Sequence, residues 1–292
     1  IHAALALPSS VGAYDLIGAV RSNVAACTLA DRTSGLVVAS DIRTGRPGGA
    51  DESSGGDAAA ALLFGDEGVL ATSIGGATAS AEFIDRWRAP GDVASKQWEE
   101  RFGEFAYAPL VQEAITAALK SADLTADQID HAIVTGPHTR AVNAAKRSAG
   151  FRPEAIADDL AATVGNTGAA HALVLLADAL DRAEPGQTIA LVQLADGVDV
   201  WLLRTTDAIA THTPARTVRQ AIEATRDDLS YAQFLTWRGF IEREPPRRPE
   251  PDRPAAPPSA RTDAWKFAFV GSRDENGFVH LPPSRVSMGI GA

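Results

Sequence analysis

Two short segments carry side chains able to do polar chemistry. Gly165-Asn166-Thr167-Gly168 sets an amide between glycines, just ahead of a long apolar stretch. Glycines let backbone approach a bound group closely, and the amide can donate to a carbonyl or an oxyanion. The same residues also suit a helix N-cap, where Asn and Thr are favoured. Gly136-Pro137-His138 follows a short β-branched run. A histidine at the C-terminal end of a strand in an α/β sheet is well placed for a site. Its imidazole exchanges a proton near neutral pH. A lone loop histidine is more often simply exposed. His131 reads as a surface residue, and His171 as a supporting or core residue one turn into the following helix.

The elements around these segments alternate in an α/β manner. Helical spacing over Tyr14 to Ala30 predicts a helix with Asp15 in its first turn. Gly35 to Ser40 and Gly68 to Ile74 read as strands, with a Gly/Pro-rich loop over Thr44 to Gly56 and small apolar residues from Asp57 to Leu63. Ser80 to Phe105 has scattered aromatics and no period, whereas Tyr107 to Ser121 is an amphipathic helix. Thr125 and Gln128 form the spacing of a capping box. A strand over His131 to Thr135 and a helix over Thr139 to Ala149, ended by Gly150, bracket His138. The apolar runs Thr188 to Ala195 and Val198 to Arg204 meet at Asp196-Gly197, a hairpin signal. Beyond Thr205 come a charged helix over Val218 to Leu229, a Pro/Arg-rich run over Glu242 to Arg261 that excludes regular structure, and strands over Trp265 to Val270 and Gly277 to Leu281.

Composition narrows the function classes. With 292 residues and 45% hydrophobic content the chain is globular and large enough for one big domain or two smaller ones. A net charge of −10 argues against general nucleic-acid binding. The single cysteine, Cys27, excludes an intrachain disulfide and an all-cysteine metal site, and points to a reducing compartment, the cytoplasm. No apolar run is long enough to span a bilayer. The start at Ile1 without methionine and the abrupt end suggest a fragment cut at both ends.

The order of these segments resembles the thiolase superfamily, nearest to hydroxymethylglutaryl-CoA synthase-like (ketoacyl synthase III-like) enzymes of the archaeal type. Ile133 to Arg140 resembles that family's histidine segment, and Val164 to Ala170 its asparagine segment. Ala39 to Gly48 and Gly56 to Ala61 resemble the stretches after its nucleophile helix. The resemblance implies a layered αβαβα fold with an incomplete N-terminal half, and a coenzyme A thioester as substrate. It implies His138 as acid/base group, Asn166 as carbonyl-polarising group, and Gly165, Thr167 and Gly168 around the substrate. The family's nucleophilic cysteine falls on Val20 in the run Asp15-Leu16-Ile17-Gly18-Ala19-Val20-Arg21, and valine has no nucleophilic atom. Cys27, two turns deeper along the helix, reads as a small buried hydrophobe.

A second resemblance covers the C-terminal part. Tyr231 to Leu235, Trp237 to Gly239, the run Pro245 to Pro249, Gly271 to Arg273 and Val279 to Val286 resemble the start of the zinc-ribbon/OB-fold proteins that accompany thiolase-like enzymes. Asp274, Ser287 and Ile290 stand where that family has cysteine ligands, which implies a degenerate ribbon without zinc. The implied organisation is 1–85 for the rest of the N-terminal half, 86–210 for the C-terminal half, 211–262 for a helix and linker, and 263–292 for the ribbon. Three readings follow: cysteine-independent aldol or retro-aldol chemistry on CoA thioesters, a non-catalytic scaffold subunit, or an acyltransferase using Cys27. A homodimer, or a hetero-oligomer with a thiolase-like or OB-fold partner, is implied by the resemblance, with no nucleic-acid or membrane partner.

Overall fold

The computed structural model describes residues 1–245, 247–249 and 255–287. The chain forms two compact units, Leu16–Glu242 and, separately, Ile1–Asp15 with Arg243–Ala292.

The larger unit contains α1 (Ser22–Thr33), β1 (Gly35–Ile42), α2 (Ala50–Ser54), β2 (Asp57–Phe64), β3 (Ala71–Ala79), the two-residue strands β4 (Arg86–Trp87) and β5 (Lys96–Gln97), and α3 (Glu100–Ser121). Then follow β6 (His131–Thr135), α4 (Thr139–Ser148), α5 (His171–Leu180), β7 (Thr188–Leu194), β8 (Val198–Thr205), α6 (Val218–Glu223) and α7 (Tyr231–Trp237). A four-stranded sheet runs β3-β8-β7-β6. Strands β6 and β7 are parallel, and β7–β8 and β8–β3 antiparallel.

Both faces of this sheet are covered, which is why β7 is buried throughout and mostly apolar rather than alternating. On one face Val134, Val192, Leu194, Val200 and Leu202 pack against Tyr107, Leu110, Val111 and Ala114 of α3 and Ala141 and Ala145 of α4. On the other, Ile133, Ile189, Leu191 and Leu203 pack against Ala172, Leu175, Leu176 and Ala179 of α5. Beyond α5 and α1 lies the antiparallel ribbon β1–β2, whose inward residues Val37, Ala39, Ala58 and Ala60 meet Cys27, Ala170 and Leu173. The layers are therefore helix, sheet, helix, ribbon. Small alanine side chains on β2 let the ribbon sit close on the helices. Leu36, Val38, Ile42 and Leu63 stay exposed on the ribbon's outer face.

Several sequence expectations need correcting. The first helix begins at Ser22, not Tyr14, because Gly18 takes a positive φ of 107° and residues 12–17 are irregular. Helix α3 starts at Glu100, inside the stretch read as aperiodic, and carries Pro109 within it. The Thr125 capping box forms, but caps one 3₁₀ turn, Ala126–Gln128. The charged helix after Thr205 stops at Glu223.

The smaller unit holds α8 (Ala256–Ala260), α9 (Asp263–Lys266) and a two-stranded ladder of β9 (Ser272–Arg273) with β10 (Val279–His280). Trp265 lies in a helix rather than the expected strand, and α8 interrupts the proline-rich run, with proline in its first turn where the missing N–H costs nothing. Asp274 accepts from the backbone N–H of Asn276 and Phe278 and so shapes the hairpin turn. Ile290 lies outside the described residues. Among the described residues no helix is long and apolar enough to cross a membrane.

Candidate functional site

The C-terminal ends of the parallel strands β6 and β7 gather the polar residues. Thr135 and Gln193 are register partners at this end. The chain leaves β6 through Gly136, where a Cβ would stand 2.2 Å from the Leu194 carbonyl oxygen. Only glycine allows the two chains to close up there.

Asn166 is held from both sides. Its backbone N–H donates to the Ser54 carbonyl at 2.8 Å, and its own carbonyl accepts from Gly56 at 3.0 Å. Its side-chain Nδ2 donates to the Gly136 carbonyl at 2.9 Å, and Oδ1 accepts from the Gly168 N–H at 2.9 Å. Gly165 and Gly168 take positive φ values of 78° and 58°. A side chain on Gly168 would strike Asp41, whose Oδ2 accepts from the Ala169 N–H at 3.0 Å. That carboxylate sits where free N–H groups open the 3₁₀ turn into α5 and favour negative charge. Thr167 is fully buried, with Oγ1 3.4 Å from His171 Nδ1. Burial holds His171 down at about 4, against the opposing pull of Asp159. His171 is thus a neutral imidazole under the asparagine loop.

His138 has a different immediate task from the one its loop position suggested. It is only 2% exposed and is the N-cap of α4, its Nδ1 accepting from the Ala141 N–H at 3.0 Å. The ring lies against α3: a Cβ on Gly103 would stand 2.3 Å from Nε2, and the Tyr107 ring is 6.1 Å away. Nε2 is buried without a hydrogen-bond partner.

Val20 is half-buried in the turn that leads into α1, and its carbonyl accepts from Gln193 Nε2 at 3.3 Å. The neighbouring Arg21 forks onto Asp199, with Nε to Oδ2 at 2.6 Å and Nη2 to Oδ1 at 3.0 Å, and its Nη1 donates to the Asp196 carbonyl at 2.9 Å. Thr78 adds a hydroxyl to Asp199 at 2.6 Å. The start of α1 is thereby clamped to the β7–β8 turn. Cys27 is 4% exposed, and burial, helped by Asp31, pushes its thiol up to about 12. A thiol so placed is a poor nucleophile at neutral pH.

The structure therefore brings Asn166 and the His138 segment together through Gly136, and brings Val20 to the same end of the sheet through Gln193. It lays the His138 ring against Gly103 and Tyr107 of α3. Sequence reasoning missed Gln193, Asn23, Asp41 and Arg21. Gln193 had a readable signal, since it interrupts the otherwise apolar Ile189–Leu194 run. The other three become informative only through partners at least 128 residues away.

This arrangement, layered helices about a mixed sheet with an asparagine loop at the ends of a parallel pair, has solved counterparts. A structure of MvaS in complex with 3-hydroxy-3-methylglutaryl coenzyme A superposes with TM-score 0.62 and 19% identity, over 87% of this chain and 72% of that one. The 3-oxoacyl-[acyl-carrier-protein] synthase III of Aquifex aeolicus VF5 gives 0.55 and 17%, over 67% and 68%. The fold is thiolase-like. Residues 119–201, from the end of α3 into β8, match the family 3-Oxoacyl-[acyl-carrier-protein (ACP)] synthase III C terminal. Among curated relatives, the hydroxymethylglutaryl-CoA synthase of Aeropyrum pernix is 28% identical over 237 residues, 80% of this chain and 64% of the relative. That of Methanothermobacter thermautotrophicus is 30% identical over 211 residues, 71% of this chain and 61% of the relative. That of Methanopyrus kandleri is 29% identical over 164 residues, 56% and 47%. This thiolase-like chain thus spans about half to two thirds of the curated relatives it matches.

Proposed function

We propose that this thiolase-like chain works on coenzyme A thioesters in carbon–carbon bond formation or cleavage, and does so without an acyl-enzyme at the start of α1. One observation carries the reading. The start of α1, the Asn166 loop and the His138 segment are tied to one end of β6–β7, and the residue at the head of α1 is Val20. The relatives are named hydroxymethylglutaryl-CoA synthases, and one matched structure holds 3-hydroxy-3-methylglutaryl coenzyme A, which supports a CoA thioester as the substrate class.

A retro-aldol cleavage needs no acyl transfer. A base takes the proton of the 3-hydroxyl, and the bond between C2 and C3 breaks. The electron pair passes to the thioester oxygen as an enolate, and C2 then gains a proton. Asn166 Nδ2 is the proposed donor to that oxygen, exchanging its Gly136 bond for the substrate, with Gly165, Thr167 and Gly168 shaping the approach. His138 is the proposed acid/base group, which requires the first turn of α3 to leave its imidazole. The proposed setting is cytoplasmic, in a homodimer or beside a thiolase-like or OB-fold partner. The segment 263–292 is read as the start of a metal-free ribbon of that fused module.

A second reading, a non-catalytic scaffold subunit, is favoured by the same bonds. Asn166 spends both ends of its amide on backbone groups, and His138 Nε2 is sealed by Gly103. The scaffold needs neither to be released.

The test is the intact mass of the complete protein after incubation with short acyl-CoAs, followed by a 3-hydroxyacyl-CoA cleavage assay. No adduct on the wild type and an adduct gained by Val20→Cys are expected. An adduct on Cys27 would overturn the non-covalent reading. Cleavage that is lost in Asn166→Ala selects the enzyme, and absence of cleavage selects the scaffold.

A further inference from the structure

A cavity of about 310 Å³ lies between α1 and the strands β3, β8 and β7. Val24, Cys27, Leu173, Leu191 and Trp201 give it an apolar wall, and Gln193 is its buried polar member, 1% exposed. Its volume falls at the lower end of the range for small-molecule pockets.

The orientation of the Gln193 amide is forced by a chain of hydrogen bonds. The Ala169 carbonyl can only accept, so Asn23 turns Nδ2 toward it, at 2.8 Å. Asn23 Oδ1 then faces Gln193, and only Nε2 can answer it, at 2.9 Å. The Val20 carbonyl takes the same Nε2. Flipping the amide would set its oxygen against two acceptors, so Oε1 is fixed as an acceptor, and it is buried with no partner. Such an atom costs free energy unless a donor reaches it.

Charge decides the rest. Asp199, the buried carboxylate on the wall, is already neutralised by Arg21 and bonded by Thr78. Asp31 and Arg32, both exposed, add one charge of each sign. A charged ligand would lose hydration against the buried part of the wall, where the one carboxylate, Asp199, is already paired.

We infer that this cavity is a binding site for a neutral, largely apolar molecule bearing a hydroxyl, which donates to Gln193 Oε1. The inferred site shares Gln193 with the bond that holds Val20, but it uses none of the groups assigned to the proposed reaction.

The full chain is titrated with 1-octanol and with heptyl methyl ether, which has similar size but no donor, and binding is followed by calorimetry. Protection of Cys27, the chain's single cysteine, from slow alkylation is read in parallel by mass. The alcohol is expected to bind about tenfold tighter than the ether, the order of one hydrogen bond to a buried acceptor. Gln193→Met should bring the two together. Thr28→Trp, a change at an exposed lining residue of α1, should abolish both and leave the fold intact. Equal affinity for alcohol and ether in the wild type would overturn the assignment, as would binding of neither, or binding that Thr28→Trp leaves unchanged.

Discussion

Asn166 donates its side-chain amide to the carbonyl of Gly136, two residues ahead of His138, at 2.9 Å. That bond joins the loop before α5 to the loop after β6, and it makes the asparagine a structural tie before any substrate arrives. Asn166→Ala removes this bond and the one from the Gly168 N–H together. A loss of about 1–3 kcal/mol in urea unfolding is expected, since buried backbone groups lose their partners. A loss near zero would mean that water replaces the amide freely and that the loop does not rely on it.

His171 should give the chain a specific acid sensitivity. Its folded value, about 4, lies below the ordinary 6.5, because burial disfavours the charged ring. The unfolded chain therefore binds the proton more readily. The contribution is fully present above pH 6.5 and is lost as pH falls from there to about 4, a change of about 3 kcal/mol. Unfolding free energies measured between pH 4 and 7 should show this slope in the wild type. His171→Gln should flatten it.

Gly103 should prove intolerant of a methyl group. Its missing Cβ is the space that His138 Nε2 occupies. Gly103→Ala forces the ring or the first turn of α3 to move, at a cost of about 1–3 kcal/mol. His138→Ala in the same chain should recover part of that loss, and a double-mutant cycle measures the coupling. Simple additivity would place the imidazole elsewhere.

Cys27 should alkylate slowly in the folded protein. Burial and Asp31 hold its thiol near 12, so thiolate is scarce at pH 8. Iodoacetamide labelling read by mass should be at least tenfold slower than in urea, where the thiol returns to its ordinary value near 8.5. Equal rates would show an accessible and ordinary thiol.

Much of the framework was legible in the sequence because it is local. The strand His131–Thr135, the hairpin at Asp196-Gly197 and the helix after His138 follow from β-branched runs, a turn dipeptide and a cap, all decided within about ten residues. That the valine at position 20 carries no nucleophilic atom is likewise a property of residue type and needs no coordinates. Tertiary structure decided what the polar side chains do. Whether His138 faces a ligand or a helix depends on Gly103, thirty-five residues earlier in the chain, and Asn166 is spent on Gly136 only because two loops meet. Gln193 reads as a mere interruption of an apolar strand until Asn23 and Ala169, far apart in sequence, fix which end of its amide is free. Local propensity is encoded residue by residue, whereas the direction of a buried hydrogen bond is set by whichever partner the packed layers bring within 3 Å.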